Sequence, residues 1–240
     1  MDEVRGELDK GVKHPYGKAD VGYAVKMMKM EPEQDGPVFM VNFMHYKKEA
    51  DYGESGEKGV SGKEADDRYS PVDVLGLIGA YVAFHGDVMD QSGSMSPAWD
   101  RIGIVDYPTR AAFFAMQRRD DFKAQHEHKE AGMEFTIVMG TEPVATGPGT
   151  AADGSLVLRV RRVADGGAGA EPDGVTPVAH FTVDGVILGD ARTWNDVRFD
   201  RVRPDAIPAL TAVSGVEEQV VVVLDEPRVD RLVETITAAG

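Results

Sequence analysis

The sequence predicts an α+β fold in which two tandem units share the element order β-α-β-β-α-β. Three observations lead to this prediction: apolar runs of strand length recur in both halves of the 240 residues, helix-capping residues introduce the segments between them, and one tryptophan-containing segment occurs twice. In this split order a four-stranded antiparallel sheet carries its helices on one face, which is the ferredoxin-like arrangement. The other face of each sheet must be buried against something else.

The first unit is predicted to hold four strands and two helices. The strands are the apolar runs 37–46, 81–89, 101–107 and 135–139. Ser70 and Pro71 are typical of a helix start, because a hydroxyl caps free amides and proline suits the first helical position. Thr109 is expected to cap the second helix. The polar, glycine-dotted stretch 47–69 is interpreted as a loop.

The second unit is predicted from four further strand candidates, 156–163, 178–188, 197–202 and 218–224. Segment 99–108 recurs as 194–204 with one inserted residue, and each copy is followed by a helix-capping residue, Thr109 or Asp205. We interpret the recurrence as duplication; chance similarity between two amphipathic strands is the alternative. The stretch between the first two strands of this unit is glycine-rich, which indicates that its first helix is missing.

These features divide the chain into four segments. They are an N-terminal extension with a helix (1–36), the first unit (37–144), a glycine- and alanine-rich linker (145–155), and the second unit with a C-terminal helix (156–240). In that last helix Val229, Leu232, Val233 and Ile236 follow helical spacing. We expect this apolar face to pack on the outer layer of a unit.

Composition excludes several classes of function. The chain has no cysteine, which removes disulfides, cysteine-based zinc sites, iron–sulfur clusters and cysteine nucleophiles. A formal net charge of -15 opposes binding to nucleic acid or to an anionic membrane. No apolar run is long enough to span a bilayer, and the acidic start lacks the order of a signal peptide, so a cytoplasmic location is expected.

Several motifs of residues 20–142 together resemble a small uncharacterised branch of the dimeric α/β-barrel superfamily. They are 27–52 (MMKMEPEQDGPVFMVNFMHYKKEADY), 62–65 (GKEA), Arg68-Tyr69, His85-Gly86, Asp106-Tyr107-Pro108, and 122–125 ahead of FTIVMG. The resemblance implies a barrel of two ferredoxin-like sheets with a ligand cavity between them, here as a single-chain version. The superfamily includes cofactor-independent monooxygenases, isomerases, cyclases and haem proteins, so the fold does not settle the function.

The catalytic candidates lie on the first two strands. His85 is followed by Gly86, which permits close approach of a ligand, and histidine is the natural base near neutral pH. Tyr46 and Asn42 share one strand face and are suited to polarise a carbonyl or enolate. The alternative for His85 is a satisfied histidine at a sheet edge.

The substrate-binding candidates are Met44, Trp99, Arg101 and Trp194. The tryptophans are suited to wall an aromatic pocket in which Arg101 or Arg198 holds an anionic group, although packing is the commoner use of such a tryptophan. Met44 lies on the same strand face as the catalytic candidates. The sequence does not decide which strand face points to the cavity.

Metal and cofactor sites are not predicted. In the run 126–130 (HEHKE) only His126 and Glu130 share a helix face, which is too few ligands, so a solvated helix end is favoured. For haem the second unit offers only His180, in a predicted strand. No glycine-rich loop joins a strand to a helix in the way a nucleotide site requires.

The resulting hypothesis is a cofactor-independent cytoplasmic enzyme that acts on a small apolar or aromatic molecule by acid–base chemistry, as an isomerase, cyclase, lyase or monooxygenase. Stretch 47–68 would serve as a lid. A barrel that binds a small molecule without turning it over is the alternative. The expected partner is that small molecule, and a homodimer is a candidate assembly.

Overall fold

The computed structural model describes residues 15–54, 56–93 and 97–239. The strands are β1 (Lys18–Ala19), β2 (Val38–Tyr46), β3 (Tyr81–Gly93), β4 (Arg101–Tyr107), β5 (Met133–Thr146), β6 (Ser155–Val163), β7 (Val175–Gly189), β8 (Asp196–Val202), β9 (Val216–Leu224) and β10 (Val229–Asp230). The helices are α1 (Val21–Met28), α2 (Gly62–Arg68), α3 (Val72–Leu77), α4 (Arg110–Arg118), α5 (Asp120–Gly132) and α6 (Leu232–Ala239), with 3₁₀ helices at Pro148–Ala151 and Pro204–Ala212. None of these helices is long and apolar enough to cross a bilayer.

Eight strands close into an antiparallel barrel. Neighbours follow the order β7-β5-β2-β4-β3-β9-β6-β8, and β8 pairs back with β7. The two short strands are additions: β1 pairs with β7, and β10 pairs with β3. Closure satisfies the backbone groups that an open sheet edge would expose. The predicted α+β class and barrel are therefore confirmed, whereas the division into tandem units stays a prediction.

The interior of the barrel is an apolar core. Successive side chains of a strand point to opposite faces, so Phe39, Val41 and Phe43 of β2 point inward. The ring of Phe39 packs on that of Phe181 with centroids 5.4 Å apart. Burial of each such side chain stabilises the fold by about 1.5–3 kcal/mol. A ligand cavity between the two sheets, as the resemblance implied, is therefore wrong for this chain, because buried apolar side chains occupy that space.

The polar stretch 47–69 is not wholly a loop. Ser61 begins helix α2 through a capping box, in which its Oγ accepts from the Glu64 amide at 3.2 Å and the Glu64 carboxylate accepts from the Ser61 amide. Ala65 of this helix packs on Ala131 of α5 in a small buried cluster. Our loop interpretation missed this helix, which matters because α2 carries acidic residues of the site described below.

Two of the other predicted caps are wrong and one is confirmed. Helix α3 has Pro71 as its N-cap with no side-chain cap, so Ser70 does not cap it. Asp205 lies inside a 3₁₀ helix and accepts from Arg203, so it does not cap an α-helix. Thr109 caps α4 as predicted, because its Oγ1 accepts from the Ala112 amide at 3.0 Å.

The C-terminal helix packs against the barrel core and not on an outer layer. Leu232 and Ile236 of α6 are buried in the same cluster as the interior strand residues. Val229, predicted to belong to this helix, instead lies in β10 opposite His85. The outer-layer expectation is therefore wrong. Residues 164–174, between β6 and β7, contain no helix, as predicted.

Asp106 near the end of β4 is predicted to destabilise the fold at neutral pH. Its Oδ1 is buried and has no hydrogen-bond partner in the described part of the chain, and burial raises the pKa of the carboxyl from 3.8 to about 6. The folded chain then binds more protons than the unfolded chain between these values, so stability is lost as pH rises through them. We expect Asp106→Asn to raise the free energy of unfolding at pH 8 by about 1–3 kcal/mol.

Urea unfolding at pH 4 and pH 8 measures this effect. The advantage of Asp106→Asn should shrink toward zero at pH 4, where the wild-type carboxyl is largely protonated in the folded state. Asp153→Asn, at an exposed position before β6, is the matched control and should show no such pH dependence. An equal gain from Asp106→Asn at both pH values would contradict the proposed cause.

Candidate functional site

A cavity of about 410 Å³ lies on the outer face of the barrel, between strands β2 to β4 and the helices that cover them. The strands contribute Met40, Asn42, Met44, His85, Arg101 and Gly103 to its wall. The covering segments contribute Tyr69, Leu75, Phe113, Phe122, His126 and Lys129. The cavity is partly open to the surface, and a concave, mostly apolar space with a few polar groups is what small-molecule sites have in common.

Helices α4 and α5 cover the cavity because their aromatic side chains point toward the sheet. Phe113 of α4 packs edge-on against Tyr107 of β4, with ring centroids 5.4 Å apart. On α5, Phe122 and His126 are one turn apart and share a face. Their rings lie 5.4 Å apart, and both also contact the ring of Tyr69. The roof of the cavity is thus a continuous aromatic layer.

Arg101 is the centre of the charged wall of the cavity. Its side chain is fully buried, and three carboxylates pair with it: Nη1 donates to Asp66 at 2.9 Å, and lies 2.9 Å from Asp67, while Nε donates to Asp87 at 2.7 Å. Asp66 and Asp67 come from α2, the helix within the polar stretch. A buried charge needs such partners, because removing it from water is costly.

Two further contacts complete the surroundings of Arg101. The Tyr46 hydroxyl donates to Asp66 at 2.6 Å, and the Tyr46 ring lies under the guanidinium at 5.5 Å. Burial raises the pKa of Tyr46, and Asp66 raises it further, so this residue stays a neutral donor. The Arg101 Nη2 group is buried and has no hydrogen-bond partner among the described residues. It is therefore an unsatisfied donor that lies beneath the cavity surface and adds positive potential there.

His85 lies on the cavity wall as a neutral imidazole. It is flanked by Gly103 of β4 and Val229 of β10. Its ring makes no hydrogen bond or ion pair within the described part of the chain. Burial lowers its pKa, and repulsion from Arg101 lowers it further, against a smaller opposing effect of Asp66. A neutral, unpaired imidazole facing a cavity is suited to accept a proton.

Lys129 of α5 is a second basic group on the wall. Its Nζ lies 5.3 Å from the centre of the Tyr69 ring, and it forms no ion pair with the residues described. Burial lowers its pKa, while Asp66 opposes that effect. The sequence reasoning missed Lys129 because it stands in a charged run, and nothing local distinguishes it from a solvated lysine.

The run 126–130 is not a solvated helix end, so that interpretation is wrong. His126 is buried, and its Nε2 shares a 2.8 Å hydrogen bond with the Tyr16 hydroxyl. His128 shares a 2.9 Å hydrogen bond with Tyr52 on a different side of the helix. Within the described ranges no group of three or more His, Cys, Asp or Glu residues is arranged to hold a metal ion.

The predicted site residues divide between the two faces of the sheet. Asn42, Met44, His85 and Arg101 line the cavity, and Tyr46 lies behind Arg101. The Asn42 amide donates to the backbone oxygens of Met40 and Gly103, which fixes its orientation.

The two tryptophans belong to the barrel core on the opposite face. Trp99 packs on Phe43 and stacks on Phe135, with ring centroids 5.4 and 5.8 Å apart. Trp194 is buried in the same core, and the Arg192 guanidinium lies 5.7 Å from its ring. The structure therefore does not bring Trp99 or Trp194 together with His85.

The outer face of the second half has ion pairs at the positions that match the cavity wall. In the strand register, His180 of β7 lies opposite Arg198 of β8, just as His85 of β3 lies opposite Gly103 of β4. The His180 Nε2 is 2.7 Å from Asp196. The ring of His180 is therefore held by a carboxylate, whereas that of His85 is open to the cavity.

Two buried arginines of β6 organise this second face. Glu171, from the loop between β6 and β7, accepts from Arg159 at 2.6 Å and from Arg161 at 3.0 Å. Asp200 and Asp196 accept from the same arginines at 3.0 and 2.7 Å. Burial alone would raise the pKa of Asp196, but hydrogen bonds from His180 and Arg161 lower it to about 2.

Comparisons with known proteins leave the function open. A scan against protein-family models finds no match, and a search of curated proteins finds no relative. Among solved structures, the chain is similar to the protein RPA0582, of unknown function, from Rhodopseudomonas palustris, with 24% identity and a TM-score of 0.47 over 58% of this chain and 98% of that one.

Two further solved structures are similar over more of this chain. One is a candidate monooxygenase from Fusobacterium nucleatum, with 12% identity and a TM-score of 0.41 over 80% of this chain and 94% of that one. The other is a mutant chlorite dismutase from Candidatus Nitrospira defluvii, with 9% identity and a TM-score of 0.43 over 88% and 98%.

Proposed function

We propose that this chain is an enzyme that binds a small, largely apolar or aromatic molecule in the cavity beneath helices α4 and α5 and moves a proton with His85. The observation that carries the proposal is the neutral His85 imidazole, unpaired among the described residues, on the wall of a partly open, mostly apolar cavity. Proton abstraction by such a base is a first step open to an isomerase, a cyclase, a lyase or a cofactor-independent monooxygenase.

The neighbouring groups support this chemistry in distinct ways. His85 accepts the proton. The Arg101 Nη2 and the Lys129 ammonium supply positive potential where an enolate or similar anion develops, in surroundings from which aromatic side chains exclude water. Tyr46 and Asp66 hold Arg101 in place and act as positioning residues. Asn42 keeps its amide on the backbone, so we assign it a positioning role as well.

We also propose that the barrel arose by duplication, with two ferredoxin-like units fused in one chain. The strand order β5-β2-β4-β3 in the first half matches β9-β6-β8-β7 in the second. The strand register supports the match: Asn42 of β2 lies opposite Gly103 of β4, and at the corresponding positions Arg159 of β6 lies opposite Arg198 of β8. The superfamily branch suggested by the motifs is compatible with this origin. Under this proposal the second site was converted to ion pairs.

A barrel that binds its ligand without turnover is the second candidate function. The observation that favours it is the closed set of ion pairs around Arg101, which serves stability without any reaction. The two candidates differ in one measurement: both require ligand binding in the cavity, but only an enzyme releases a changed product.

The test of the proposed location is a substitution that fills the cavity. Gly103 lies on the cavity wall, and the nearest neighbour of an added Cβ is the flexible end of Met44, 3.2 Å away. Gly103→Val should therefore fold, with Met44 shifting, while its methyl groups occupy ligand space. We expect affinity for bound metabolites from a screened library to fall at least about tenfold, or 1.4 kcal/mol.

The measurement is calorimetry or mass spectrometry of the folded variant, with turnover of each bound compound followed in parallel. Gly36→Ala is the control, because its added Cβ meets nothing within 4 Å. Binding that survives Gly103→Val in a folded protein would place the site elsewhere. Ligand binding without product in wild type would favour the non-catalytic candidate.

A further inference from the structure

The cavity wall carries three nitrogen groups that have no hydrogen-bond partner among the described residues. They are Nη2 of Arg101, the ring of His85 and Nζ of Lys129. Arg101 is fully buried, so its free group is out of reach of water and of a ligand oxygen alike and acts through its positive charge. The His85 ring and the Lys129 Nζ belong to cavity-lining side chains that are only partly buried. A ligand that accepts from Lys129 makes a hydrogen bond that the described residues leave unmade.

These three groups lie around one carboxylate. Asp66 accepts from Arg101 at 2.9 Å, and its charge acts on both His85 and Lys129. The Oδ2 atom of Asp66 also accepts from Tyr46 at 2.6 Å, so Asp66 is held by Arg101 and Tyr46 and forms no hydrogen bond or ion pair with Lys129 or His85 among the described residues.

The balance of charge around the cavity also points to an anionic ligand. Around Arg101, the three carboxylates Asp66, Asp67 and Asp87 are paired with the three cations Arg101, Arg228 and Lys63. Lys129 stands outside this set and has no carboxylate partner among the described residues. A cation without an ion-pair partner beside an apolar space is matched by one negative charge on an otherwise apolar molecule.

Resting on the proposed function, we infer that the ligand is an organic monoanion, with an apolar ring or chain against the aromatic roof and one carboxylate or phenolate that accepts from Lys129. The apolar part lies against Phe113 and Phe122. The oxyanion lies toward Lys129 and Arg101 and leaves the His85 ring free for a proton on the neighbouring carbon.

The test compares two probes of the same shape, 2-naphthoate and 2-naphthamide, by calorimetry with the full chain at pH 7.5. We expect naphthoate to bind at least about tenfold more tightly, equivalent to 1.4 kcal/mol. In Lys129→Met that preference should fall to about twofold or less, while naphthamide affinity stays within about twofold of wild type. Lys129→Arg should keep the preference.

Lys123→Met is the matched control, because it removes a positive charge from the same helix at a position whose ion-pair partner among the described residues is the exposed Asp120. It should leave the preference unchanged. Equal affinity for the two probes in wild type overturns the oxyanion assignment and leaves the cavity as a binding site. Failure of both probes to bind counts against this inference and against the proposed function together. The comparison of probes in wild type does not depend on whether Lys129→Met folds.

Discussion

Arg101→Ala is expected to lower the free energy of unfolding by about 3–5 kcal/mol, the range seen when one partner of a buried ion pair is removed. The Arg101 side chain is 0% exposed, and Asp66 beside it is 6% exposed. Without the guanidinium, Asp66 stays in a buried position where the Tyr46 hydroxyl is the one hydrogen-bond donor left to its carboxylate among the described residues. The measurement is urea unfolding at pH 7 followed by circular dichroism.

Arg228→Ala is the matched control, because Arg228 pairs with Asp67 at 2.8 Å from a position that is 51% exposed. Exposed ion pairs contribute about 0–1 kcal/mol to stability, so the free energy of unfolding of this variant should remain close to that of wild type. The double variant Arg101→Met, Asp66→Asn should recover part of the loss, since it removes both buried charges. Similar small effects of Arg101→Ala and Arg228→Ala would show that Arg101 is not a stabilising centre.

His85→Gln is expected to lower kcat/KM on an identified substrate by about 10²–10⁴-fold, the usual contribution of a general base. Glutamine preserves much of the side-chain volume but does not take up a proton. His45→Gln is the control, because the His45 ring is held 2.9 Å from Asp100 and does not line the cavity. Equal turnover by His85→Gln and wild type would remove His85 from the mechanism.

The pH profile provides an independent check on the same residue. Because the pKa of His85 is lowered, the base is neutral over most of the range, and kcat/KM should fall only when the pH drops through a value below 6.5. Arg101 and Arg228 both repel the protonated ring, while Asp66 and Asp87 favour it. Arg228→Ala should therefore raise the pKa of His85 and move the acidic limb of the profile to higher pH. If His85→Gln retains some activity and its pH profile keeps the same acidic limb, that limb reports the titration of a group other than His85.

Much of the barrel could be predicted because its strands carry continuous apolar runs, but the sequence could not say which face holds the ligand. In β2, residues on both faces are buried: Phe39, Val41 and Phe43 on one face, and Met40 and Met44 on the other. A strand that is covered on both sides has no polar face to mark the outside. The sequence therefore does not distinguish the inner face of the strand from its outer face. The resemblance implied a ligand on the inner face, which apolar side chains fill.

The site was predictable only in part for the same physical reason. His85 and Arg101 are conspicuous as polar residues within apolar strands, and both line the cavity. Asp66 and Lys129 reach it from helices distant in sequence, so only the packing of α2 and α5 reveals them. The capping box Ser61–Glu64 was the one local signal that would have indicated α2. A cytoplasmic location and a homodimer stay predictions.

The difference between the two outer faces has a consequence for stoichiometry. In a barrel made of two identical chains, each substitution appears twice, so both faces keep equal ligand sites. Here the first face has Asn42 and Gly103 opposite each other in the strand register, and the second face has Arg159 and Arg198 at the corresponding positions. Both arginines lie within ion-pair distance of Glu171. Under the proposed duplication and the proposed ligand site, we expect a single occupant per chain with a simple hyperbolic saturation curve, since the described residues of the ion-paired face offer no equivalent second site to cooperate with it.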